Sequence, residues 1–163
     1  MSTGNTNVRG FSINGHLVGQ DRPTYFIADI AANHDGDLKR AIDLIHAAAA
    51  AGADAAKFQH FKAETIVSGK GFDQLPSDVN SHQSKWKESV VEVYRAASVN
   101  LEWTTALKEA CDDAGIAFFT TPYSLELADE IDPYVPAYKI GSGDVTWLEI
   151  IEHVAAKNKP YIL

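Results

Sequence analysis

Apolar and polar positions alternate along this chain in two periods, and the switches between them set out its elements. Residues 8–20 read as a hairpin turning at Asn14-Gly15. Thr24 to Ile30 is a short apolar run with aromatics, the pattern of a buried strand. Leu38, Ala41, Ile42, Ile45, Ala48 and Ala49 then recur at helical spacing, with Asp35 or Asp37 as the cap and Gly52 as the stop. A second strand is predicted over 54–59. Residues 60–99 look irregular apart from a helix predicted near 83–96; a connection this long suggests a lid over a site. Asn100 caps a helix predicted to run to Ala114, and a third strand over 116–121 stops at Pro122. A short helix over 124–130, a strand over 137–141, a helix over 146–157 and a strand opening at Lys159 complete the pattern.

Strand–helix alternation of this kind implies a parallel sheet with right-handed crossovers. Two architectures fit: a doubly wound open sheet, or half of a (β/α)8 barrel. After the first parallel strand come Ala31-Ala32-Asn33-His34-Asp35-Gly36, so the dinucleotide fingerprint is absent there. With about four of eight units present, the chain reads as cut inside a strand.

Composition narrows the function classes. The 163 residues carry a net charge of -8, which argues against nucleic acid as a partner. The single cysteine, Cys111, excludes an internal disulfide and fits a reducing cytoplasm; it reads as a packed helix residue. No basic start followed by an apolar stretch marks a signal peptide, and no apolar run is long enough to span a membrane. Residues 1–7 are polar and expected to be a disordered tail, leaving 8–163 as one partial barrel domain.

Candidate chemistry sits at the strand ends. Lys57 and Lys139 both close apolar strands, and strand ends in such folds share one mouth, where active sites lie. Two cations there point to an anionic, phosphorylated or carboxylated substrate. The plainer reading has each lysine reaching from the strand end to solvent. Gln59 lies two residues after Lys57 and shares its face. Ser142 and the Gly141-Ser142-Gly143 turn offer a hydroxyl and backbone N–H groups to a phosphate; the alternative is an ordinary turn in which Asp144 or Thr146 caps the next helix. Thr120 and Thr121 bring hydroxyls to the same mouth, unless they serve only β propensity. Asp29, among apolar neighbours, needs a partner such as a lysine, and is equally an acid/base candidate. Asn33 and His34 follow in the loop, and His60 is close enough to reach the mouth. The six histidines lack metal-ligand spacing.

Together these strings resemble the sialic acid synthase family, phosphoenolpyruvate-condensing enzymes that make N-acetylneuraminate and related nonulosonic acids. The residues that carry the resemblance are Ile27-Ala28-Asp29-Ile30, Asn33-His34-Asp35-Gly36, Gly52-Ala53-Asp54 leading into Lys57-Phe58-Gln59, Thr120-Thr121-Pro122, Tyr138 to Asp144, and Lys159 to Leu163. The resemblance implies an α/β fold, the N-terminal half of a (β/α)8 TIM barrel with a short N-terminal hairpin. It implies that Lys57, Thr121, Lys139 and Ser142 hold phosphoenolpyruvate, while Asp29, Gln59 and Asp144 contact an N-acetylated amino sugar such as N-acetylmannosamine. It further implies a divalent metal, manganese or magnesium, whose ligands lie outside this chain, and a homodimer. The family usually has Glu where this chain has Asp29, one methylene shorter. Two other readings stand beside it: a Schiff-base aldolase using Lys57 or Lys139, and an inactive half-barrel that assembles with another chain.

Overall fold

The computed structural model describes residues 10–75 and 86–163. The tail expected at 1–7 and the start of the helix predicted at 83–96 fall outside these residues. Strands β1 (Gly10–Ile13) and β2 (His16–Gly19) pair antiparallel, and Asn14 and Gly15 between them take φ of 48° and 82°. Positive φ at both turn positions is what a two-residue hairpin of this twist requires.

Strands β3 (Ile27–Ala31), β4 (Ala55–His60) and β5 (Ala117–Pro122) form a parallel sheet in that order. Strands β6 (Tyr138–Lys139) and β7 (Tyr161–Ile162) make a second parallel pair, with β6 packed beside β5. All six residues of β5 are buried, as expected of a strand covered on both faces.

Helix α1 (Leu38–Ala50) starts at Asp37, whose carboxylate accepts from the backbone N–H groups of Lys39 and Arg40. Its apolar stripe buries Ala41, Ile45 and Ala48. The stretch read as irregular contains α2 (Ala63–Ile66) and α3 (Gly69–Asp73); α4 (Val90–Ala97), which overlaps the helix predicted near 83–96, begins with a capping box between Ser89 and Glu92. Asn100 caps a 3-10 turn over Leu101–Trp103 that leads into α5 (Thr104–Asp113). Ser124 caps α6 (Leu125–Ile131). Helix α7 (Leu148–Ala155) begins at Trp147 with no side-chain cap, so neither Asp144 nor Thr146 is spent there. Cys111 is fully buried in α5, and burial pushes its thiol up to about 12.

The period-two alternation of the strands sorts their side chains into two cores. One face sends Ala56, Phe58, Phe118, Tyr138 and Ile140 against the helices. The other collects Ala55, Ala117, Phe119 and Ala137, with Ile13 of the hairpin fully buried among them and Ile27 packed alongside. On this inner face the residues that follow at two-residue steps are Asp29, Lys57, Gln59, Thr121 and Lys139. The inner face is thus apolar toward the strands' N-terminal ends and polar toward their C-terminal ends.

Candidate active site

Register brings the first pair together. Asp29 on β3 stands opposite Lys57 on β4, and Lys57 Nζ donates to Asp29 Oδ1 at 2.7 Å. The lysine side chain is only 13% exposed while the carboxylate is 58% exposed, so the pair presents its anionic side to solvent. Immediately after Asp29 the β3–β4 register shifts, which re-aims the end of β3. Lys139 is half-buried at the end of β6, and its ammonium donates to the backbone carbonyl of Ile140 at 2.8 Å. Among the described residues no carboxylate pairs with it. A half-buried cation held only by a carbonyl is a natural partner for an anion.

A cleft of about 620 Å³ opens at the C-terminal ends of the strands. Gln59, Ser142 and Asp144 line it, and Thr121, which pairs with Gln59, is buried at the end of β5. Burial raises the Asp144 carboxyl above its ordinary range. Asp29, Lys57, Thr121 and Lys139 share this face but do not line the cleft.

Its opposite wall is aromatic and comes from residues that the sequence reading did not single out. Trp86, Tyr94, Phe61 and Tyr123 form a chain of ring contacts, with centroids 6.3, 5.8 and 6.1 Å apart in that order. Tyr123 follows Pro122 at the end of β5, so the strand-end rule that picked out the lysines also picks out this residue. Its phenol is pushed up by burial first, then by Asp144, Asp29 and Tyr94, which keeps it a proton donor. Tyr94 comes from α4, within the helix predicted near 83–96, and no signal in the sequence marked it as a wall residue.

Two histidine readings and one threonine reading need correction. His60 does not reach the mouth. Gln59 takes the inner face, so alternation turns His60 outward, where its Nδ1 meets Thr120 Oγ1 at 2.8 Å and its Nε2 meets Thr104 Oγ1 at 3.1 Å. Thr120 is therefore a partner of His60 beneath α5, not a mouth hydroxyl. Burial, with His34 nearby, holds the His60 imidazole down to about 4. His34 is fully buried, edge-on to Trp103 at 5.8 Å, and cannot touch a ligand in the cleft as it stands. Asn33 spends its side-chain amide on the carbonyl of Ile30 at 2.9 Å.

Among the described residues no three His, Cys, Asp or Glu side chains stand close enough to hold a metal ion. Both nitrogens of His60 are engaged by threonines, and Nδ1 of His34 accepts from Gly36. The described residues therefore do not fit a metal centre. Among them, no helix is long and apolar enough to cross a membrane.

A parallel α/β sheet with cations, hydroxyls and a cleft at its C-terminal strand ends defines the class: an α/β fold whose site is built from strand ends and the loops that follow. Residues 44–163 match the NeuB family, and the chain belongs to that family. The N,N'-diacetyllegionaminic acid synthase of Legionella pneumophila is 32% identical over 146 residues, covering 89% of this chain and 40% of that protein. The N-acetylneuraminate-9-phosphate synthase of Homo sapiens is 32% identical over 151 residues, covering 91% of this chain and 41% of that protein. The crystal structure of an N-acetylneuraminic acid synthetase from Leptospira borgpetersenii in complex with citrate superposes with a TM-score of 0.78 at 25% identity, covering 96% of this chain and 49% of that one. The chain spans about two fifths of the length of the curated relatives it matches, at 40%, 39% and 40% for three of them.

Proposed function

We propose that this chain carries the phosphoenolpyruvate side of a nonulosonic acid synthase site, built on the N-terminal half of a (β/α)8 barrel. Lys139 and Lys57 would neutralise the phosphate and carboxylate, with Thr121 and Ser142 supplying hydroxyl donors. Asp29, Gln59 and Asp144 would contact the N-acetylated amino sugar. In this reaction C3 of the enol attacks the sugar's aldehyde carbon, forming the C–C bond and an alkoxide that takes up a proton. Water adds at C2, and the tetrahedral carbon then expels inorganic phosphate by breaking its C–O bond. The divalent metal that the family resemblance implies would polarise the aldehyde and would need ligands from outside the described residues. No role for the described residues depends on it.

The observation that carries this reading is the shared inner face of Lys57 and Lys139, two lysines toward the C-terminal ends of β4 and β6 with β5 between them, and Lys139 lacks a carboxylate partner among the described residues. The same geometry weighs against the Schiff-base aldolase. A lysine nucleophile must have its nitrogen free to attack, and Lys57 Nζ is engaged by the Asp29 carboxylate at 2.7 Å. Borohydride reduction in the presence of pyruvate or phosphoenolpyruvate tests the choice by mass spectrometry. A synthase site leaves Lys57 and Lys139 unmodified while phosphoenolpyruvate binds. A reduced adduct on either lysine would move the assignment to the aldolase.

A further inference from the structure

The cleft does not end at its aromatic wall. A second cavity of about 560 Å³ adjoins it, and Ala32, Val93 and Ala97 line both. This cavity lies between the loop after β3 and helix α4, and its other lining residues are Asp35, Glu88, Glu92 and Ala96. Among the described residues no Lys, Arg or His lines either cavity. Arg40 answers one of the three carboxylates, its guanidinium lying 3.2 Å from Asp35. Glu88 and Glu92 make no ion pair among the described residues. Hydrogen bonds from Ser89, whose hydroxyl donates to Glu92 Oε2 at 2.7 Å, hold the Glu92 carboxyl below its usual range, so it is charged at neutral pH. Arg95 adds a weaker pull on Glu92, but its guanidinium is bound to Glu64 at 2.6 Å.

The remaining polar groups of the cleft are uncharged, apart from Asp144. Gln59, Tyr94, Tyr123 and Ser142 line it, and among the described residues none of their side chains is spent on a hydrogen bond. Aromatic rings with a few neutral donors and acceptors suit a hydroxylated ligand that also has apolar C–H faces. They do not suit a second phosphate. Lys57 and Lys139 stand outside the lining of both cavities, and the phosphate and carboxylate of phosphoenolpyruvate would use them. A phosphate ester entering the second cavity would bring about two negative charges. It would meet the like charges of Glu88 and Glu92 and find no cation there.

We propose that the second cavity is an anion-excluding extension of the cleft: Glu88 and Glu92 bar a phosphorylated ligand, so that the amino sugar this site takes carries no phosphate ester. The two glutamates set specificity by repulsion, while the aromatic wall and the neutral groups accept the sugar itself. That the ligand is an amino sugar rests on the synthase reading; the exclusion of anions does not.

Calorimetric titration of N-acetylmannosamine and of its 6-phosphate into this chain, at low and at high salt, compares the two forms. The neutral sugar is expected to bind with a Kd lower by about tenfold or more at low salt. The gap should narrow as salt rises, because charges at a rim are screened. In Glu88→Lys/Glu92→Gln, which keeps a capping partner for Ser89, the gap is expected to fall to about threefold or less. A 6-phosphate that binds wild type as tightly as the neutral sugar, or a gap that the folded variant leaves unchanged, overturns the proposal. A second readout needs no sugar. Trp86 lines the cleft, and a nitroxide that reaches it broadens its indole N–H signal. Measured against exposed backbone amides elsewhere, a carboxylated nitroxide is expected to broaden that signal about half as much as a neutral one or less in wild type, and about equally in the variant. Equal broadening in wild type overturns the proposal whether or not a sugar binds. If neither sugar binds while the two nitroxides are told apart, the synthase reading fails alone and the anion exclusion stands.

Discussion

Lys57 Nζ lies 2.7 Å from Asp29 Oδ1, and the two residues are direct partners in the β3–β4 register, so the ion pair is a property of the sheet and not of mobile side chains. The pair is lopsided. The ammonium is enclosed and the carboxylate is mostly exposed. Removing Asp29 strands an enclosed charge, whereas removing Lys57 leaves a carboxylate that water already solvates. Asp29→Ala is therefore expected to cost about 1–3 kcal/mol in urea denaturation, and Lys57→Ala about 1 kcal/mol or less for loss of the pair. Equal losses would mean that the pair is as exposed on one side as on the other.

Gly141 is the point where the cleft has no room to spare. A Cβ there would lie 3.1 Å from Asp144 Oδ2 and 3.5 Å from the Tyr123 hydroxyl. Gly141→Ala is expected to push these two groups aside and weaken binding of a cleft ligand by about tenfold, the equivalent of one good polar contact. Since the contact is at the mouth, the thermal midpoint should stay close to that of wild type. A large drop in the midpoint would place Gly141 in the core instead.

His60 should make stability fall in mild acid. Its folded value is held down to about 4 against an ordinary 6.5, so between those values the unfolded chain binds a proton that the folded chain refuses. Stability therefore rises with pH across that window, is complete above about 6.5, and is lost as pH falls toward 4. The full span is worth on the order of 3 kcal/mol. Buried His34, shifted the same way, adds to the slope. Thermal midpoints of wild type and His60→Gln between pH 7 and 4.5 should diverge, with the variant less pH-sensitive. Parallel curves would contradict the assignment of the acid sensitivity to His60.

Phe58 and Phe118 stack at 5.9 Å and are both fully buried on the helix-facing side of the sheet. Phe118→Ala is expected to cost about 3–5 kcal/mol through lost burial and the cavity left behind. Urea denaturation followed by tryptophan fluorescence measures it. A cost near 1 kcal/mol would mean that this core collapses around the gap.

How far the sequence foretold this structure differs from element to element. The helix of Leu38 to Ala50 was legible because its apolar period is regular and Asp37 is a strong cap. The strand-end lysines were legible because β periodicity places Lys57 and Gln59 on one face. The same rule, carried one residue further, turns His60 and Thr120 away from the mouth; proximity in sequence had obscured it. The wall of Phe61, Tyr94 and Tyr123 was not legible, since it arises from tertiary packing of α4 against strand ends far away in the chain. Nor was the burial of His34, because nothing in a loop sequence tells whether a histidine turns in or out.

Calorimetric titration of phosphoenolpyruvate into this chain, beside Lys57→Ala and Lys139→Ala, tests the central claim most directly. Saturable binding by the wild-type chain, weakened by about 10- to 100-fold or more in each variant, is the expected result for two charge-assisted contacts. Binding that both folded variants retain at wild-type strength, or its absence from the folded wild-type chain, would contradict a phosphoenolpyruvate cradle formed by these two lysines.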